Sequence, residues 1–226
     1  MPTSLADVTS QGKGEILRQW LLNLGVTPSS LGEGELNALL ADAAASMGAQ
    51  GSFDLSPANA VAATLSRPAV SSQAIALASG TIGMAAVYLT KGQVINNIVV
   101  FTGSQAGATL THQWAVLCTG PASAPVPVAA SVDGTSAAIG ANAAITFAMT
   151  SAYTVATSGI YYIGVMVANG GTQPNFAGAV AGNVATATVP PIIGGTSSTG
   201  QTTVPALGTA LTTITPTVNI LYCYIT

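Results

Sequence analysis

Between residue 92 and the last residue, four side chains stand out as able to trade protons or hold a metal: His112, Cys118, Asp133 and Cys223. A hydrolytic triad needs a base beside its nucleophile. His112 is the only histidine and Asp133 the only acid in this stretch, one on a strand pattern and the other in an Asp133-Gly134 turn. His112 reads as a buried or stacking ring and Asp133 as a turn residue. Glycosidases place two carboxylates across a cleft, and this stretch has one. One histidine and two cysteines fall short of a tetrahedral metal set. The cysteines are far apart; two buried free thiols and a cross-strand disulfide both fit. The expectation is a protein that is not an enzyme and holds no cofactor or metal.

Aromatic rings offer a different chemistry, stacking on sugars. Trp114, Tyr161, Tyr162, Tyr222 and Tyr224 are the candidates. Most lie on runs that are apolar on both faces, and such rings usually serve the core.

The elements around these residues follow from period-two patterns. A strand over about 76–90 puts Ile82, Met84, Ala86 and Tyr88 on one face, with Val87 and Leu89 opposite. Lys91-Gly92-Gln93 turns the chain into a second strand, Val94–Thr102, with Asn96 and Asn97 at its middle. Thr111–Thr119 carries His112, Trp114, Val116 and Cys118 on one face and Ala115 and Leu117 on the other, so it reads as central. Prolines in 120–127 forbid a central strand there, and Val128–Val132 reads as a weak edge. About 142–150 shows Ile145, Phe147 and Met149 on one face. Tyr153–Ala156 is a short extended piece. Ile160–Ala168 is again central. Residues 169–216 are Gly/Thr/Ala-rich, with short strands expected near 185–189 and 201–204 and otherwise a binding loop or a segment ordered by a neighbour. Val218–Ile225 is the last strand. Together these predict a mainly β fold, an antiparallel jelly-roll-like β-sandwich over 76–226.

The N-terminal part differs. Residues 1–12 read as an arm. Ile16, Leu17, Trp20, Leu21 and Leu24 recur at helical spacing, as do Leu36, Leu39 and Leu40, with Gly25 and Gly48 as stops. This predicts a small helical hairpin over 13–47, whose apolar stripe serves docking or oligomerisation or caps the β domain. Residues 48–75, rich in Ala, Ser, Gly and Pro, read as a linker on an extended path.

Composition sets the outer bounds. The 226 residues are 49% hydrophobic and 5% charged, with a net charge of −3, against about 25% charged in an average soluble domain. Four scattered cations cannot displace counterions from phosphates, so nucleic acid is not an expected partner. No apolar run reaches the roughly 20 residues of a membrane span, and the first residues lack a secretory pattern. A surface so poor in charge leaves apolar patches that a homo-oligomer would hide.

The block ASGTIGMAAVYLTKGQVINNIVVFTGSQAGATLTHQWAVL, with TFAMTSAYTVATSGIYYIGVMV further on, resembles a β-sandwich found in virion proteins of tailed actinobacterial phages. The matching residues are Tyr88-Leu89, Lys91-Gly92, Thr111-His112-Gln113-Trp114, Tyr153-Thr154 and Gly159 through Tyr162. They span about 75–168. The resemblance implies a virion structural protein made in the host cytoplasm. Its role would be capsid decoration or head fibre, with a minor tail protein as the second choice. Implied partners are the major capsid protein or tail proteins and sister copies, most often in trimers. A host-glycan adhesin is the alternative by function.

Overall fold

The computed structural model describes residues 60–66, 69–181 and 190–226. Thirteen strands lie among them. They are β1 (Ala62–Ala63), β2 (Ser71–Ala76), β3 (Ile82–Leu89), β4 (Val94–Phe101), β5 (Leu110–Thr119), β6 (Val126–Ala130) and β7 (Ala144–Thr154). After these come β8 (Gly159–Asn169), β9 (Asn175–Val180), β10 (Gly194–Ser197), β11 (Thr215–Pro216), β12 (Asn219–Leu221) and β13 (Cys223–Ile225). The fold is mainly β, and every strand pairing is antiparallel. All described residues belong to one unit, Leu55–Thr226. The arm, the expected hairpin and its docking residues Ile16, Leu17, Trp20, Leu21, Leu24, Leu36, Leu39 and Leu40 lie outside the described residues, as does the strand expected near 185–189.

Three sheets form. Their orders are β1-β13-β4-β7, β11-β10-β3-β8-β5-β6 and β12-β9-β2. β5 and β8 are central, as their two-sided apolar pattern requires. β6 is an edge strand, beginning at Val126 rather than Val128 and tolerating Pro127 where the register with β5 slips. The stretch read as linker contributes β1 and β2. The single strand expected over about 76–90 is two elements, β2 and β3, with Leu77–Thr81 between them. β7 absorbs the extended piece at Tyr153, and the last strand is divided at Tyr222 into β12 and β13. No strand occurs at 201–204; the strand of that region is β10, which pairs with β3.

The main core is built from alternate residues of two sheets. Ala85, Val87 and Leu89 of β3, Ala115 and Leu117 of β5 and Ile163, Val165 and Val167 of β8 share one cluster with Ile95, Ile98 and Val100 of β4 and Phe147 and Met149 of β7. Along one side the two sheets are joined: Ser131 bridges Met149, and the Thr150 hydroxyl donates to the Ala130 carbonyl at 2.8 Å. The join is made by a bulge. The register of β4 with β7 slips between Ile95 and Asn97, which frees residues 149–152 to lean away. Asn96 and Asn97, awkward in mid-strand by sequence, turn to the other side of β4, just past β13: both backbone N–H groups donate to the Thr226 carbonyl, at 2.7 and 2.9 Å. The Asn97 amide adds a bond to the Thr226 hydroxyl at 2.9 Å.

A second cluster covers the other face of the six-stranded sheet. Ile82, Met84, Trp114, Val116, Cys118, Tyr162 and Met166 meet Ile214 there, with Ile192, Val204 and Leu211 at the margin. Gly164 keeps the layer tight, since a Cβ there would lie 2.8 Å from Val116 and 3.0 Å from Ile82 and Met84. The cover is a strap, residues 198–214, running beside β6. Gly208, Leu211 and Ile214 donate to the carbonyls of Pro127, Pro125 and Ala122 at 2.9, 2.8 and 2.7 Å. Prolines lack a donor but keep an acceptor, so the segment that could not be a central strand still holds the strap. The described part of 169–216 is thus ordered by its own sheet and by β9, rather than standing free as a binding loop.

Candidate functional site

Asp133 and His112, read from sequence as a turn residue and a separate ring, are brought together. The turn after β6 folds back on the start of β5. His112 Nδ1 donates to Asp133 Oδ2 at 2.6 Å, and the Gln113 backbone N–H donates to Oδ1 at 3.0 Å. Gln113 finishes the stitch. Its buried side-chain amide donates to the Gly134 and Ala137 carbonyls at 2.9 and 2.7 Å, and its own carbonyl accepts from Gly134 N–H at 2.8 Å. The carboxylate fixes a proton on Nδ1, an assignment made from the hydrogen-bond network. The side chains of His112 and Asp133 are 30% and 23% exposed, so water screens the pair. Among the described residues no hydroxyl or thiol hydrogen-bonds to His112, and no group of three metal-ligating side chains forms. The chemistry of the pair is that of an oriented imidazole without a nucleophile. Its structural action is to pin a turn.

The thiols settle the alternative left open by sequence. Cys118 and Cys223 are both free and buried. They sit in different clusters, Cys118 under the strap and Cys223 in the main core. Burial pushes each thiol up to about 12, so neither offers a thiolate at neutral pH.

Four of the five candidate stacking rings are interior. Trp114, Tyr161, Tyr162 and Tyr222 are buried, and only Tyr224 is half-buried. Trp114 lies under the strap, and its indole N–H has no hydrogen-bond acceptor among the described residues. Burial raises the Tyr162 phenol. Tyr161 donates to the Thr157 carbonyl at 3.0 Å and meets Tyr153 edge to face at 6.4 Å. Burial, and then the bond with Tyr161, push the Tyr153 phenol up to about 12.

Tyr222 and Tyr224 have a companion that sequence reasoning missed. Phe101, half-buried at the end of β4, stacks on Tyr222 with centroids 5.5 Å apart and planes 22° apart. It also meets Tyr224 at 5.9 Å and 38°. The signal was present as alternation: Ile98 and Val100 point into the core, so Phe101 must point out. Its aromatic partners could not be read, because they come from a strand more than a hundred residues later.

No protein-family model matches the chain, and no curated protein matches it.

Proposed function

We propose that this chain is a non-enzymatic structural protein of a tailed-phage virion. It decorates the capsid or forms a head fibre, with a minor tail protein as the second assignment. In this reading its β-sandwich is a jelly roll. The observation that carries the reading is the nesting of the strand pairs. β1 pairs with β13, β3 with β8, β4 with β7 and β5 with β6, as if one long hairpin had been rolled up. A jelly roll, an architecture of viral capsid and lectin domains, nests its strand pairs in the same order, which supports the reading. The scarcity of charge supports the same reading. Between residue 92 and residue 226 the only formal charge is Asp133, which suits a surface covered by sister copies or a shell better than one alone in water. The His112–Asp133 pair acts as a brace for the turn after β6.

Residues 13–47 are the attachment element in this proposal, and the protein assembles as a trimer. The test is cryo-electron microscopy of purified particles, with light scattering of the isolated protein. The expected result is density for the β-sandwich at a repeated site on the capsid, and a trimeric mass at micromolar concentration. Leu21→Asp or Leu39→Asp should abolish particle binding, because each sets an unpaired charge in an apolar contact. Absence of the protein from the particle sinks the proposal. A monodisperse monomer sinks its oligomeric part.

A further inference from the structure

The outer face of the four-stranded sheet carries a row of three rings. Leu221, Cys223 and Ile225, with Ile98 and Val100, belong to the main core. Side chains alternate along a strand, so Tyr224, Val99 and Phe101 project from the opposite side, with Val99 buried; Tyr222, between β12 and β13, stacks on Phe101. Tyr222 is buried and lies nearly parallel to Phe101, with ring centroids 5.5 Å apart. Phe101 and Tyr224 keep part of their surface open, tilted by 38°. The neighbouring strand adds small and hydroxylated side chains. Ala144 pairs with Phe101 and Thr146 with Val99, and both are exposed. β4, β7 and β13 contain no charged residue.

We infer that this row is a binding site for a neutral glycan. The proposal goes beyond the structural role above and does not depend on it. The electron-rich face of an aromatic ring attracts the weakly positive C–H face of a sugar ring, and the contact buries apolar area on both. Two adjacent, tilted rings can engage neighbouring sugars of one chain. The absence of charge fits an uncharged polymer and offers no cation to an acidic one. A second copy of this chain is a poorer occupant. A stable protein interface needs about 1,200–2,000 Å² with an apolar centre. Of the large hydrophobic residues that stand exposed among the described residues, Tyr88, Val94, Val132, Val180 and Leu207, only Val94 lies on a strand of this sheet.

The test is affinity electrophoresis of the full chain through gels containing dextran, galactomannan or arabinogalactan, with hyaluronan as the acidic control. At least one neutral polymer should retard the protein, and hyaluronan should not. Tyr224→Ala and Phe101→Ala should each weaken retardation about tenfold. Ala144→Arg, at an exposed position beside Phe101, should weaken it without touching the core. Tyr88→Ala, on the other large sheet, should leave it unchanged. Circular dichroism and melting curves establish folding; should Phe101→Ala unfold, Tyr224→Ala and Ala144→Arg still decide. Three results would overturn the inference: no retardation by any neutral polymer, retardation unchanged in those two variants, or Ala144→Arg dissolving an oligomer into monomers. The last would give this face to a second copy. Particle localisation is read in a different experiment, so either proposal can fail alone.

Discussion

The six-stranded sheet is buried on both faces, but by unlike means. Its inner face meets another sheet, and apart from Tyr161 at one end of β8 the residues there are compact and mostly branched: Ile163, Val165 and Val167 of β8, Leu117 of β5. Its outer face meets a strap without strands between 198 and 214, and there Met84, Met166, Trp114 and Tyr162 stand beside the smaller Ile82 and Val116. A regular cover repeats its shape every two residues, so stiff β-branched side chains can interlock with it. An irregular cover leaves uneven gaps, which flexible methionines and a broad indole can fill. The contrast teaches that the composition of a buried face records the regularity of whatever covers it.

The largest effect should come from the inner face. Ile163→Ala deletes fully buried volume between two sheets that cannot easily close on it, and should cost about 2–5 kcal/mol. Urea denaturation should show one transition with a lower midpoint. Ile214→Ala tests the outer face. The strap can settle into the space, so the loss should fall at or below about 2 kcal/mol. Hydrogen exchange should rise in 198–214 while β3, β5 and β8 stay protected. Equal losses for the two variants would show that strap and sheets form one cooperative unit, and the contrast would be broken.

A third experiment uses the thiols, one in each cluster. In the unfolded chain each ionises near its ordinary value of 9.0, and in the native chain near about 12. Between those values the native state binds more protons than the unfolded state, so stability falls as pH rises. Below 9.0 the thiols contribute nothing to the pH dependence. The raised Tyr153 and Tyr162 act in the same direction. Urea midpoints from pH 8 to 11 should decline, and the decline should be shallower in Cys118→Ala and in Cys223→Ala. The smallest effect belongs to Asp133→Ala. The pair is part-exposed, and removing it should cost about 1 kcal/mol or less, with a loss that shrinks at high salt. A loss larger than that of Ile214→Ala would make the turn after β6 part of the core.

The sequence made most strands of the two large sheets legible, because burial on one face imposes alternation; the short β1, β10 and β11 were not read. Ile145, Phe147 and Met149 of β7 show it. Two-sided apolar runs likewise marked β5 and β8 as central. The strap was opaque for the reason just given: an irregular cover imposes no period, and Gly, Thr and Ala carry little pattern. The His112–Asp133 bond was hidden by the strand and loop between them, since closing that excursion depends on how β6 pairs with β5. The aromatic row was half legible. Tyr222 and Tyr224 stood out as candidates, but Phe101 joins them only once β13 lies beside β4.

That placement of β13 has a bearing on how the protein is made. β13 fills the slot between β1 and β4, pairing Ile225 with both Ala62 and Ile98. The Thr64 hydroxyl is held in the same place, donating to the Leu221 carbonyl at 2.7 Å and accepting from Cys223 N–H at 2.9 Å. On the ribosome, β1 and the free side of β4 must wait, edges open, until Cys223–Ile225 have been synthesised and have cleared the exit tunnel. Contacts this distant in sequence are slow to form, and open edges in the interval invite pairing with other nascent chains. A chain cut just before Cys223 would lack a whole stave, and its vacant slot between β1 and β4 would accept β13 from a neighbour.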